Sequence, residues 1–195
     1  VHPVSNTINI ALYHGSITGC QTDSEWRMTH GEEALDFFNG YDFAMLGDIH
    51  KQQYLAFRSH RGITRDLKPW IAYPGSLIQQ NYGEDEEKGF LVWDIRSRDD
   101  WDVNFHALVN KTPYLSIPWM GSVKETIEVV EEIRQEHAFT KGSRIRVLSN
   151  QNISQLECRQ LHHEIRDKRG CAECIFKIDA SKTMMQAIQT GTVLA

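Results

Sequence analysis

Apolar and polar positions along this chain fall into short blocks, and in the first half most carry the period of strands. Residues 8–13 are apolar except for Asn9, and the run ends at His14 with Gly15 behind it. Tyr41, Phe43, Ala44, Met45 and Leu46 form a second run that ends at Gly47-Asp48-Ile49-His50. Short apolar runs closed by glycine read as buried strands. Between them, residues 31–38 predict a short helix with an acidic first turn that stops at Asn39-Gly40. Further strands are predicted at 53–59, 70–73, 88–95 and 102–109, with a polar turn over 60–68 and a solvated acidic turn over 84–87, for which a metal role is the alternative. So many successive strands suggest antiparallel edges on a mixed sheet.

The pattern changes near Lys111-Thr112-Pro113. A strand at 114–117 leads to a helix over 122–137, where Ser122 and Glu125 have capping-box spacing and Val123, Ile127 and Val130 make an apolar stripe. Residues 143–148 alternate Arg144 and Arg146 with Ile145 and Val147, a half-exposed strand with two cations on its wet face. A second helix starts at Ser154 with Glu157 and is closed by Gly170, before a strand at 173–179. The reading is a two-part α/β (α+β) chain: a sheet domain over 1–110 and a small βαβαβ module over 111–180. A tail of weak helical potential follows over 181–195.

Composition narrows this only a little. The 195 residues are 41% hydrophobic and 24% charged, as in ordinary globular proteins. No stretch is apolar for the roughly 18 residues a membrane span needs. The first residues carry no basic and apolar signal-peptide pattern. Four cysteines in so long a chain suggest reduced thiols and an intracellular, cytoplasmic setting. Residues 1–110 hold 9 Lys and Arg against 16 Asp and Glu, while 111–195 hold 12 against 10. The acidic part suits cation binding. The slightly basic part could meet phosphate backbones, although a dedicated nucleic-acid domain is usually more basic.

Candidate chemistry centres on the strand ends. His14, Asp48 and His50 are nitrogen and oxygen donors of the kind that hold divalent metals, and two-metal phosphoester hydrolysis needs such a set. Each also has an ordinary role open to it, a loop hydrogen bond for a histidine or a turn position for Asp48. Gly75 and Ser76, after Tyr73-Pro74, could offer backbone N–H groups to a phosphate. Arg144, Arg146, Lys168 and Arg169 could contact DNA phosphates or simply form a charged surface. Cys171 and Cys174 have the spacing of half a zinc or redox motif, without a second pair.

Taken together, His14-Gly15-Ser16, Leu46 through Gln53, Tyr73-Pro74-Gly75-Ser76-Leu77 and Lys88-Gly89-Phe90-Leu91-Val92 resemble the calcineurin-like metallophosphoesterases. Within them the chain is most similar to the DNA-repair exonuclease branch, the SbcD-like nuclease subunit. The likeness covers residues 8–95, and the βαβαβ module resembles that branch's capping domain by architecture and position. It implies the C-terminal part of a metallophosphoesterase β-sandwich with flanking helices, a binuclear Mn (or Mg) site, and phosphodiester hydrolysis on DNA. By the same likeness His14 is a metal ligand, and His50 is the second histidine of a Gly-His-x-His strand end. Asp48 stands where the family usually has the first histidine, which trades a nitrogen donor for oxygen.

In that family an Asp-x-His, a Gly-Asp and an Asn-His-Asp/Glu precede the His-Gly strand, and this chain begins just before that strand. The expectation is therefore a C-terminal portion of a nuclease, truncated or a partial reading frame, with an incomplete metal site and little or no hydrolysis of its own. DNA is the implied partner, an SbcC-like ATPase subunit an implied companion, and a homodimer is left open. The alternatives are another calcineurin-like phosphatase or phosphodiesterase, and a non-catalytic DNA-binding or assembly module.

Overall fold

The computed structural model describes residues 2–136 and 141–178. The fold is mixed α/β, and the chain divides into two units at Val109/Asn110. The tail expected over 181–195 lies outside the described residues.

In the first unit, β1 (Ile10–His14), β2 (Phe43–Gly47), β3 (Gln53–His60) and β4 (Ile63–Tyr73) form one sheet in the order β1-β2-β4-β3. The first three neighbours run parallel, and β3 pairs antiparallel with β4. β2 is central, so its two faces meet different cores. Ala44 and Leu46 join Ala11, Ile17, Phe38, Ile71 and Tyr73 on one side. Phe43 faces the other way, with ring centroids 5.5 Å from Trp101 and 6.0 Å from Trp93. A parallel strand covered on both faces carries a continuous apolar run, as residues 43–46 do. Trp93 and Trp101 belong to β5 (Lys88–Ile95) and β6 (Trp101–Leu108), an antiparallel pair forming a second sheet.

Two local expectations need correction. The helix expected over 31–38 is only α1 (Ala34–Phe37), whose N-cap Glu33 makes no side-chain cap hydrogen bond. The polar turn expected over 60–68 is mostly strand, because β4 begins at Ile63. Its turn is Arg61-Gly62, with φ of +51° and +70°. Two central residues at positive φ suit the twist of a tight hairpin, so the polar residues that follow belong to a ribbon. Arg61, Arg96, Asp100, Asp102 and Lys68 pair across that region, and His60 is buried between Asp66 and Asp100. Hydrogen bonds from Lys68 and Arg96 push the Asp102 carboxyl down to about 2.

In the second unit, β7 (Tyr114–Pro118), β8 (Arg144–Ser149) and β9 (Glu173–Ile178) make an all-parallel sheet in that order. The connections are α2 (Val123–Glu136) and α3 (Gln155–His162), the latter continued by a π-helical turn over His163–Lys168. Arg169 donates to the Glu164 carbonyl at 2.6 Å from beyond that wider turn. Ile145 and Val147 meet Val130, Leu161 and Ile165 in one core. Both helix starts are capped. The Glu125 N–H donates to Ser122 Oγ at 3.2 Å, and Ser154 with Glu157 closes a full capping box.

Two substitutions test this packing. A Cβ at Gly89 would lie 2.0 Å from the His106 carbonyl oxygen on the paired strand. Gly89→Ala is therefore expected to cost about 3 kcal/mol, the upper end of overpacking costs, seen as a lower denaturation midpoint of the first unit. Ser154→Ala should cost about 1 kcal/mol, measured on the second unit's transition.

Candidate metal centre

The parallel register of β1 and β2 sets His14 beside Gly47. Glycine there leaves the ring its space, since a Cβ would sit 2.8 Å from His14 Nδ1 and push the ring aside. The chain then turns at Asp48, whose φ is +93°, a backbone region that costs a non-glycine residue about 1–3 kcal/mol. The turn brings Asp48 Oδ1 to 3.7 Å from His14 Nε2. Ile49 is buried in the core below and anchors the loop, with Asp48 and His50 on either side of it. Behind His14, the Tyr73 hydroxyl donates to the Gly15 carbonyl at 2.6 Å, and burial pushes that phenol well above its ordinary range.

Asp48 and His50 line a cavity of about 280 Å³ together with Thr22, Asp23, Ser24 and Glu84. The opposite wall comes from the loop after β1. Gln53 clamps that loop with both ends of its amide, accepting from the Gln21 N–H at 2.9 Å and donating to the Gln21 carbonyl at 2.8 Å. Beneath the cavity lies Lys88, 3% exposed, which donates to Asp23 and to the His50 carbonyl at 2.9 Å each.

Glu84 corrects the reading of 84–87 as a solvated turn. Its side chain is 5% exposed. It faces His50 Nδ1 at 3.0 Å and accepts from the Asn81 amide at 2.7 Å and the Gln80 N–H at 3.0 Å, with Lys88 at 3.5 Å. Burial raises this carboxyl, but the donors at His50 and Gln80 and the charge of Lys88 outweigh it and leave it below its ordinary value. Four consecutive acidic residues conceal the one that turns inward. The only sequence signal is its spacing of four from Lys88.

Gly75 and Ser76 support this centre. Gly75 adopts φ +80°, and a Cβ there would lie 2.7 Å from the His50 carbonyl oxygen. The Ser76 N–H donates to that same oxygen at 3.1 Å, and its hydroxyl faces Glu84 at 3.4 Å. The Ser76 N–H, one of those that could be offered to a phosphate, here ties down the turn after β2. In the second unit, the Arg144 guanidinium lies 4.8 Å from the centroid of the Tyr114 ring, and Arg146 donates to Ser116 Oγ at 2.9 and 3.1 Å. Lys168 and Arg169 pair with Glu164, and Arg169 also with Glu131.

Cys171 and Cys174 are core side chains beside Ile145 and Leu161. Burial pushes the Cys174 thiol up to about 12 and also raises Cys171. Thiols so far from ionisation are poor nucleophiles and ligands. Both are expected to resist iodoacetamide in the native chain at about pH 8 and to react fully in urea, read by mass spectrometry.

Among the described residues, no group of three or more His, Cys, Asp or Glu side chains is arranged to hold a metal ion. His14 and Asp48 form a pair, and Asp48 and His50 share a cavity. No helix among the described residues is long and apolar enough to cross a membrane. No family model matches the chain. A search of curated proteins finds similarity to an uncharacterized protein of Acanthamoeba polyphaga mimivirus, 41% identical over 91 residues. That stretch is 46% of this chain and 6% of the viral protein, so the chain corresponds to a small part of its relative.

Proposed function

We propose that the first unit carries part of the metal site of a calcineurin-like metallophosphoesterase of the DNA-repair exonuclease branch, acting on phosphodiesters. The observation that carries the reading is the pair His14 and Asp48, brought to 3.7 Å at the ends of adjacent parallel strands. On an ion with bonds of about 2.1 Å, two donors lie between ~3 Å and ~4 Å apart, and this pair falls within that span. The cost of holding Asp48 at positive φ argues in the same direction, since strain of this kind concentrates at functional sites.

Mn (or Mg) is the proposed ion, and the Asp48 carboxylate is the donor here that suits it. His14 Nε2 and Asp48 Oδ1 are the pair that would hold the ion, joined by ligands from outside the pair, and His50, which shares a cavity with Asp48, is the proposed further donor. When bound, such an ion supplies Lewis-acid stabilisation of charge developing on the phosphoryl group. The chain's own residues hold these donors in place. Ile49 anchors the loop in the core, Gly47 leaves room for the His14 ring, and Ser76 and Lys88 hold the His50 backbone through its carbonyl.

DNA is the proposed substrate and partner, with the second unit as the capping domain and Arg144 and Arg146 toward the backbone phosphates. An SbcC-like ATPase subunit is the companion this reading carries with it. The test is Mn²⁺ titration of the chain followed by electron paramagnetic resonance. Weak binding is expected, and it should be lost in the double variant His14→Ala/Asp48→Ala. Binding unchanged by that pair of substitutions would sink the reading.

A further inference from the structure

We propose that Glu84 is a positioning residue for His50: its buried side chain fixes the ring with the proton on Nδ1 and leaves Nε2 bare at the cavity. The role deepens the metal-centre reading and rests on it for the purpose of that bare nitrogen, but its geometry stands separately.

Glu84 lies 34 positions from His50 in sequence. Its two oxygens are almost wholly committed. Oε1 accepts from the Asn81 amide at 2.7 Å and faces His50 Nδ1 at 3.0 Å. Oε2 accepts from the Gln80 N–H at 3.0 Å and the Ser76 hydroxyl at 3.4 Å, with the Lys88 ammonium at 3.5 Å. The four neighbours other than His50 all donate. An ionised carboxylate offers only lone pairs, so the ring nitrogen facing it must carry a hydrogen. A neutral imidazole has one such hydrogen, and placing it on Nδ1 leaves Nε2 with its lone pair free.

The His50 side chain is 40% exposed, so packing alone does not hold the ring. Its backbone is held independently, by Lys88 and Ser76 on the carbonyl. Glu84 therefore acts on the two freedoms left, the ring's rotation and its tautomer. Carboxylate partners of this kind orient ligand histidines and raise their basicity in metal sites, and losing one weakens metal binding about 10–100-fold.

The test reads the tautomer directly. Long-range ¹H–¹⁵N spectra of the full chain at about pH 8, where an ordinary imidazole is neutral, should show His50 with a protonated Nδ1 and a bare Nε2. Glu84→Ala should move the population toward the Nε2–H form. Glu84→Gln should shift it the same way, because the amide oxygen stays with Lys88 and the Gln80 N–H and the NH2 group, a donor, turns to Nδ1. Because Glu84→Ala takes one acceptor from the buried Lys88 charge and could unfold the unit, the same step is also read as the paired variant Glu84→Ala/Lys88→Met against Lys88→Met alone, two variants that share the loss of the Lys88 bond to the His50 carbonyl.

A folded paired variant with the original tautomer would overturn the proposal, as would a wild-type ring protonated on Nε2. In a parallel Mn²⁺ titration, the paired variant should bind about 10–100-fold more weakly than Lys88→Met. Equal affinity in the two would also overturn the proposal. If the tautomer responds as expected while Mn²⁺ binds none of these proteins, the positioning role stands and the metallophosphoesterase reading fails.

Discussion

Lys88 has 3% of its side chain exposed, and an ammonium so deeply buried must be surrounded by acceptors or it costs several kcal/mol. Its acceptors come from three separate places in the chain. Asp23 lies in the loop after β1, His50 in the turn after β2, and Glu84 in the segment leading to β5. Satisfying one charge thus gathers three loops around one cavity. The candidate metal centre inherits its shape from that demand, and removing any one of the three carboxylate or carbonyl partners would leave a buried charge short of an acceptor.

Close backbone approach is the second constraint on the same region. Gly47 admits the His14 ring, Gly75 lets the next segment pass within contact of the His50 carbonyl, and Gly89 allows β5 to lie against β6. Each glycine serves a different contact, and only Gly75 among them also uses a positive φ. The strand ends can therefore sit closer together than side chains would permit. His14 and Asp48 meet because of this spacing as much as because of their own chemistry.

The second unit is organised by simpler rules. Alternation along β8 sends Ile145 and Val147 to the helices and leaves Arg144 and Arg146 on the other face, where Tyr114 and Ser116 engage them. Capped starts and a periodic apolar stripe are enough to place both helices within a residue or so at their N-termini. The π-helical end of α3 is not legible in the same way, and Arg169 reaches back there to Glu164 and to Glu131, far away in sequence.

Local pattern determines the two strand ends with their donors, the order of elements and the capped helices, because each depends on neighbours within a few residues. It misleads at residues 60–68, where a two-residue turn lets polar residues continue as strand. It also misleads at Glu84, which in sequence looks like its three equally acidic neighbours. What tertiary structure alone decides is which acidic residue turns inward, where the His50 ring points and what engages Ser76. Those outcomes follow from burying Lys88 among partners 38 and 65 positions away, a requirement that no short window of sequence contains.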